Sequence, residues 1–164
     1  MVDVDGDGYA DLVLGYVPID SRDGLRDMIT EGTLGLTLKF HFFRAGQGFS
    51  ADADCQRQLH LYFDNVLDWT LGERFYFEKF VSLNGDFNGD GRKDLLVRDR
   101  KDAISVYFFV SREAGFSPQA DLEFRCPELM DWWMVQDLNG DGVSDLVVKL
   151  RDKNLFRIYL SHGK

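Results

Sequence analysis

Three short stretches of the chain carry side chains able to hold a hard cation. Asp3 to Gly15 reads DVDGDGYADLVLG, Asp86 to Arg98 reads DFNGDGRKDLLVR, and Asp137 to Lys149 reads DLNGDGVSDLVVK. All three fit D-x-[DN]-x-D-G-x-x-D followed by an apolar run. A calcium ion takes roughly six to eight oxygen ligands, which a tight loop supplies from alternate side chains when its backbone curls around the ion. Positions 1, 3, 5 and 9 would provide them. These are Asp3, Asp5, Asp7 and Asp11 in loop 1 (3–11), Asp86, Asn88, Asp90 and Asp94 in loop 2 (86–94), and Asp137, Asn139, Asp141 and Asp145 in loop 3 (137–145). Position 7 is expected to add a backbone carbonyl, from Tyr9, Arg92 and Val143. Position 6 is Gly8, Gly91 or Gly142, where the chain must turn sharply and a Cβ would obstruct it.

A single Asp-Gly turn often binds nothing. One match to this longer pattern should arise by chance in fewer than about one in a thousand sequences of this length, so three copies are not coincidence. Four carboxylates converge in loop 1 and three in each of the others, and an empty loop of that charge is strained unless screened. Magnesium fits less well, since it resists losing its waters. An EF-hand needs a Glu at position 12 and flanking helices. Here position 12 is Leu14, Val97 or Val148, each inside a β-type run. We therefore expect up to three calcium ions.

The loops start 83 and 51 residues apart, so the repeat unit is several strands long. A second pattern recurs: LKFHFFRAGQGFS (Leu38 to Ser50) resembles ISVYFFVSREAGFS (Ile104 to Ser117), and LFRIYLSHGK (Leu155 to Lys164) matches its first half. Each unit reads as strand, loop, strand, turn, strand, turn, strand. Phe80 to Leu83 and Trp132 to Val135 are the expected opening strands of the second and third units, and the first has none ahead of it. Charged turns are expected at Arg98 to Asp102 and Arg151 to Asn154, and Gly turns at Gly48 and Gly115. Two stretches read as insertions: Pro18 to Thr33, whose Arg22, Asp23, Leu25, Met28 and Ile29 suit a short rim helix, and about Gln56 to Lys79.

Composition bounds the class. At 164 residues with 45% apolar, 14% aromatic and 29% charged residues, the chain suits a single domain, 1–164, with its own core. No apolar run approaches the roughly 18 residues of a membrane span, and Met1 is followed by an acidic loop, so any export signal is expected outside this chain. A formal charge of -9 argues against nucleic acid. The acid is 22 Asp against 6 Glu, a skew that points to loops over helices. Three divalent ions would bring the charge from -9 to about -3, so the acidity reads mostly as a property of metal sites. Cys55 and Cys126 lack metal-ligand spacing; a disulfide or two buried thiols would suit them, and we read them as thiols.

The segments GDFNGDGRKDLLV and DLNGDGVSDLVV, with the later GF turns, resemble the FG-GAP and related VCBS-type repeats of integrin α-subunit heads and of many bacterial secreted proteins and lyases. The resemblance implies an all-β fold, a partial β-propeller of four-stranded antiparallel blades, with calcium in the loop between the first two strands of each blade. At about ten strands the chain is the equivalent of about two and a half blades. It implies an extracellular, cell-surface or periplasmic module for adhesion, carbohydrate or protein binding, or scaffolding. Exposed strand edges suit self-association or packing on neighbouring blades of a longer chain. The alternative is part of a propeller-type polysaccharide lyase or other extracellular enzyme, with His41 and His60 as its main candidates. No nucleophile elbow, H-E-x-x-H, P-loop or dinucleotide fingerprint is present, so no catalytic residue is assigned. Of Trp132 and Trp133, adjacent in a strand, one is expected in the core and the other in a second packed layer or a sugar- or protein-binding surface. The charged turns read as solvated hairpins, with an acidic glycan as the rival ligand reading.

Overall fold

A computed structural model describes residues 2–17, 30, 32–63, 79–128, 130–151 and 154–162. The expected rim helix falls almost wholly outside these residues, as do 64–78 of the second insertion.

The described residues form antiparallel strands, some alternating apolar with polar residues and others continuously apolar. In the first sheet β1 (Leu12–Tyr16), β2 (Thr33–His41) and β3 (Cys55–Tyr62) lie in that order. The second holds β4 (Val81–Gly85), β5 (Asp94–Arg100), β6 (Ala103–Tyr107) and β9 (Leu122–Arg125), with the small hairpin β7 (Phe109–Ser111) and β8 (Gly115–Phe116) inserted between its last two strands. The third contains β10 (Met130–Gln136), β11 (Asp145–Leu150) and β12 (Phe156–Tyr159). The fold is all-β and antiparallel, and the second sheet has the strand, loop, strand, turn, strand, turn, strand order read from the sequence.

Three expectations need correction. Gln56 to Tyr62 is no insertion but most of β3, paired along its length with β2 from Thr33↔Tyr62 to Phe40↔Cys55. It is the counterpart of β9, because the aspartate before each strand makes the same two bonds. The Asp54 N–H donates to the Phe40 carbonyl and its carboxylate accepts from the Phe42 N–H; Asp121 does the same with Val106 and Phe108, all at 2.8 Å. Nor is Arg98 to Asp102 a turn throughout. β5 runs on to Arg100, leaving Lys101 and Asp102 to turn. Arg98 is 4% exposed, with its guanidinium over the Tyr62 ring, so burial removes it from any glycan-contacting surface. The first loop does have a stub of an opening strand, for Val2 bridges Asp11 as Gly85 pairs with Asp94.

The second sheet is the middle layer. Leu95 and Val97 of β5 point into one core, with Leu36, Leu38, Phe40, Leu59 and Leu61 of the first sheet. Leu96, with Ile104 and Val106 of β6, points into a second core with Leu146, Val148 and Leu150 of β11. The apolar run Leu95, Leu96, Val97 is thus what a strand covered on both faces requires. Trp133 packs into the second core while Trp132 stays exposed, edge-on to Phe156.

Gly85, where β4 meets loop 2, leaves room for these layers to close. A Cβ there would lie 2.3 Å from the Phe87 ring and 2.9 Å from Val135. Gly85→Ala should therefore destabilise the fold by about 1–3 kcal/mol through overpacking, read as a lower urea midpoint. An unchanged midpoint would contradict this packing.

Candidate metal loops

Loop 2 follows β4 and leads into β5, and loop 3 lies between β10 and β11 in the same way. All three loops fold through one network of side-chain to backbone hydrogen bonds. The position-1 carboxylate accepts two glycine N–H groups: Gly6 and Gly8 on Asp3 (2.8 and 2.9 Å), Gly89 and Gly91 on Asp86 (2.7 and 2.8 Å), Gly140 and Gly142 on Asp137 (2.7 and 3.0 Å). The position-3 oxygen of Asp5, Asn88 or Asn139 accepts the position-5 N–H, and the position-5 carboxylate of Asp7, Asp90 or Asp141 accepts the N–H of Tyr9, Arg92 or Val143. These are Asx turns laid end to end. They need left-handed backbone at both glycines of each loop, with φ of +75 to +78° at Gly6, Gly89 and Gly140 and +84 to +89° at Gly8, Gly91 and Gly142.

Position 9 plays a different part. Asp11, Asp94 and Asp145 are all 0% exposed. One oxygen of each accepts the N–H of loop position 2, from Val4, Phe87 or Leu138 at 2.7–2.8 Å. The other accepts an N–H two residues beyond the neighbouring strand, from Phe43 (3.0 Å), Phe109 (3.1 Å) or Ser161 (2.8 Å). Burial pushes the Asp94 carboxyl up to about 6, against the two N–H donors, which favour its ionised form; nearby Asp90 and Asp86 add to the rise. Asp11 is raised for the same leading reason.

Donors facing the loops are oxygens, and each carboxylate oxygen keeps a lone pair beyond the N–H bond it accepts. In loop 1 the oxygens of Asp3, Asp5 and Asp11 lie within 4.8 Å of one another, a span that two calcium–oxygen bonds of about 2.4 Å can bridge. Asp7 stands outside that trio, its Oδ2 paired with Arg112 at 2.5 Å. The position-5 Oδ2 is engaged in the other loops too: Asp90 by Arg92 (2.5 Å) and Asn88 (3.1 Å), Asp141 by Asn139 (3.2 Å). The loops also contact one another. Lys93 N–H donates to the Val4 carbonyl and Ser144 N–H to the Asp86 carbonyl, both at 2.7 Å. A Cβ on Gly6 would sit 2.7 Å from the Gly91 oxygen.

Three features of the loops were not among the expectations from sequence. The position-4 glycine was legible, since all three loops read D-x-[DN]-G-D-G. The apolar position 2 was legible in retrospect, with Val4 and Phe87 at 0% and 4% exposure. Arg112 had no linear signal at all.

The other chemical candidates separate. His41 is buried, its Nδ1 bonded to the Ser50 carbonyl at 3.0 Å. His60 is exposed and pairs with Gly35, which puts it about 20 Å along the sheet from His41 at 3.3 Å per residue. The two do not form a catalytic pair. Cys55 and Cys126 are unpaired thiols, and burial pushes Cys55 up to about 11, away from thiolate chemistry.

Residues 86–148, which span loops 2 and 3, match the family model described as an FG-GAP-like repeat. No curated protein matches the chain.

Replacing Asp94 by Asn would set an amide NH₂ against one of two buried N–H donors. Asp94→Asn should cost about 1–3 kcal/mol of metal-free stability, measured by denaturant unfolding in chelator. Parent-like stability would mean that the two bonds do not hold the loop.

Proposed function

We propose that this chain, with an FG-GAP-like repeat over residues 86–148, is a β-propeller-type module whose three loops each bind a calcium ion. The ligands would be the carboxylate and amide oxygens at positions 1, 3, 5 and 9 with the carbonyls of Tyr9, Arg92 and Val143. The supporting observations are the threefold recurrence of one hydrogen-bond network and the clustered carboxylate oxygens of Asp3, Asp5 and Asp11 in loop 1. When bound, calcium supplies positive charge that offsets carboxylate repulsion. The chain's own residues do the rest: the paired glycines shape the cradle, and the buried position-9 aspartate anchors it to two strands. The ions act as clips within each sheet, and the role we infer is adhesion, carbohydrate or protein binding, or scaffolding outside the cytoplasm. There, millimolar calcium would fill even loops of modest affinity.

Partners would meet the outer sheet faces. The third sheet repeats the second in register, since Val147↔Ile158 matches Leu96↔Val106 and Leu146↔Tyr159 matches Leu95↔Tyr107. Leu96, Ile104 and Val106 are buried against the third sheet. Phe156 and Ile158, the counterparts of Ile104 and Val106, are each 56% exposed, alongside Trp132, Met134 and Leu138. On the far side Leu14 and Tyr16 of the first sheet are exposed in turn. A second copy, or a neighbouring blade of a longer chain, would therefore pack on this third sheet as the third sheet packs on the second, reusing an interface the chain already makes internally.

Excess chelator should lower the melting temperature markedly, since an ion at a hundred times its dissociation constant contributes about 2.7 kcal/mol. Melting indifferent to chelator and to added calcium would sink the metal reading. Sedimentation at rising concentration should show self-association that Ile158→Glu weakens; a chain that stays monomeric throughout would exclude the second copy.

A further inference from the structure

In loops 2 and 3 the residue at position 3 is asparagine, which serves its loop twice. Its oxygen accepts the position-5 N–H, and its Nδ2 donates to the position-5 carboxylate, at 3.1 Å from Asn88 to Asp90 and 3.2 Å from Asn139 to Asp141. Position 3 of loop 1 is Asp5. A carboxylate can accept the N–H, as it does from Asp7 at 3.2 Å, but has no proton for the second bond and adds a fourth negative charge. The missing donors come from Arg112, in the turn between β7 and β8. Its Nε bonds Asp5 Oδ2 and its Nη2 bonds Asp7 Oδ2 at 2.5 Å. The Asp5 side chain is only 6% exposed, and a carboxylate so withdrawn from water needs a partner. The guanidinium also lies over the Phe42 ring, 5.7 Å from its centroid.

We propose that Arg112 is the positioning residue of loop 1. It stands in for the asparagine amide of the other loops, holds Asp5 and Asp7 together against their repulsion, and keeps the metal-free loop folded. In doing so it lowers that loop's affinity for a divalent cation, because a fixed positive charge sits on Asp5, one of the three clustered carboxylates, and on neighbouring Asp7. This second effect rests on the calcium reading above; the first does not.

A double-mutant cycle in chelator separates the two. Arg112→Met keeps the stem over Phe42 and removes the donors, and should lower the melting temperature by about 3 °C or more. In an Asp5→Asn background, where the new amide can donate to Asp7, the same change should cost little. Equal losses in both backgrounds, or no loss in either, would overturn the positioning role. If R112M alone fails to fold, recovery in D5N/R112M supports the proposal and continued failure overturns it. Calcium calorimetry then tests the second half. R112M should bind one ion on the order of tenfold more tightly, and less so at high salt. Weaker binding would mean that Arg112 orients the carboxylates for the ion, overturning the affinity claim. No calcium heat in the parent would sink the calcium reading, leaving the chelated cycle to decide on Arg112.

Discussion

Three fully buried carboxylates hold this fold together. Asp11, Asp94 and Asp145 each begin the strand after a loop, and each joins that loop's second residue to the chain just past the neighbouring strand. A carboxylate at 0% exposure is costly unless both oxygens are satisfied. Here both are, by backbone N–H groups that would otherwise be orphans where strand pairing stops. The consequence reaches outward, because fixing position 2 sends Val4 and Phe87 into the two cores and orients the rest of the loop.

That geometry explains why each loop can be open to solvent and yet shaped. The position-1 carboxylate draws two glycine N–H groups inward and keeps lone pairs beyond those two bonds. Repulsion among these groups is the principal cost, met locally in different ways: Arg92 and Asn88 at Asp90, Asn139 at Asp141, and Arg112 at Asp5 and Asp7. Loop 1, with the most negative charge, recruits its partner from the farthest point in sequence. Direct hydrogen bonds between successive loops then extend the order from one sheet to the next.

Much of the candidate site was legible because its determinants are local. Asx turns depend on the identity of residues two to five positions apart, so D-x-[DN]-G-D-G carries its own geometry. β5 and β11 were legible for a related reason, since a run such as Leu95, Leu96, Val97 has few roles other than a strand buried on both faces. β3 was misplaced as insertion because its partner β2 precedes it by a long connection, and its alternation of Gln58, Leu59, His60 and Leu61 gains meaning only once Leu59 and Leu61 meet the first core. Arg98 was misjudged because charge suggests a turn, whereas the Tyr62 ring above it lies far away in sequence.

What the sequence determined by itself was therefore the repeating loop, its oxygen-rich donors, the all-β class and the order of strands around each loop, all set by spacing within a few residues. Only the tertiary structure decided that the position-9 aspartates are buried struts, that Arg112 answers the extra charge of Asp5, and that the second sheet is packed on both faces. Those outcomes depend on which distant segments approach within a few ångströms, a relation that no local pattern encodes.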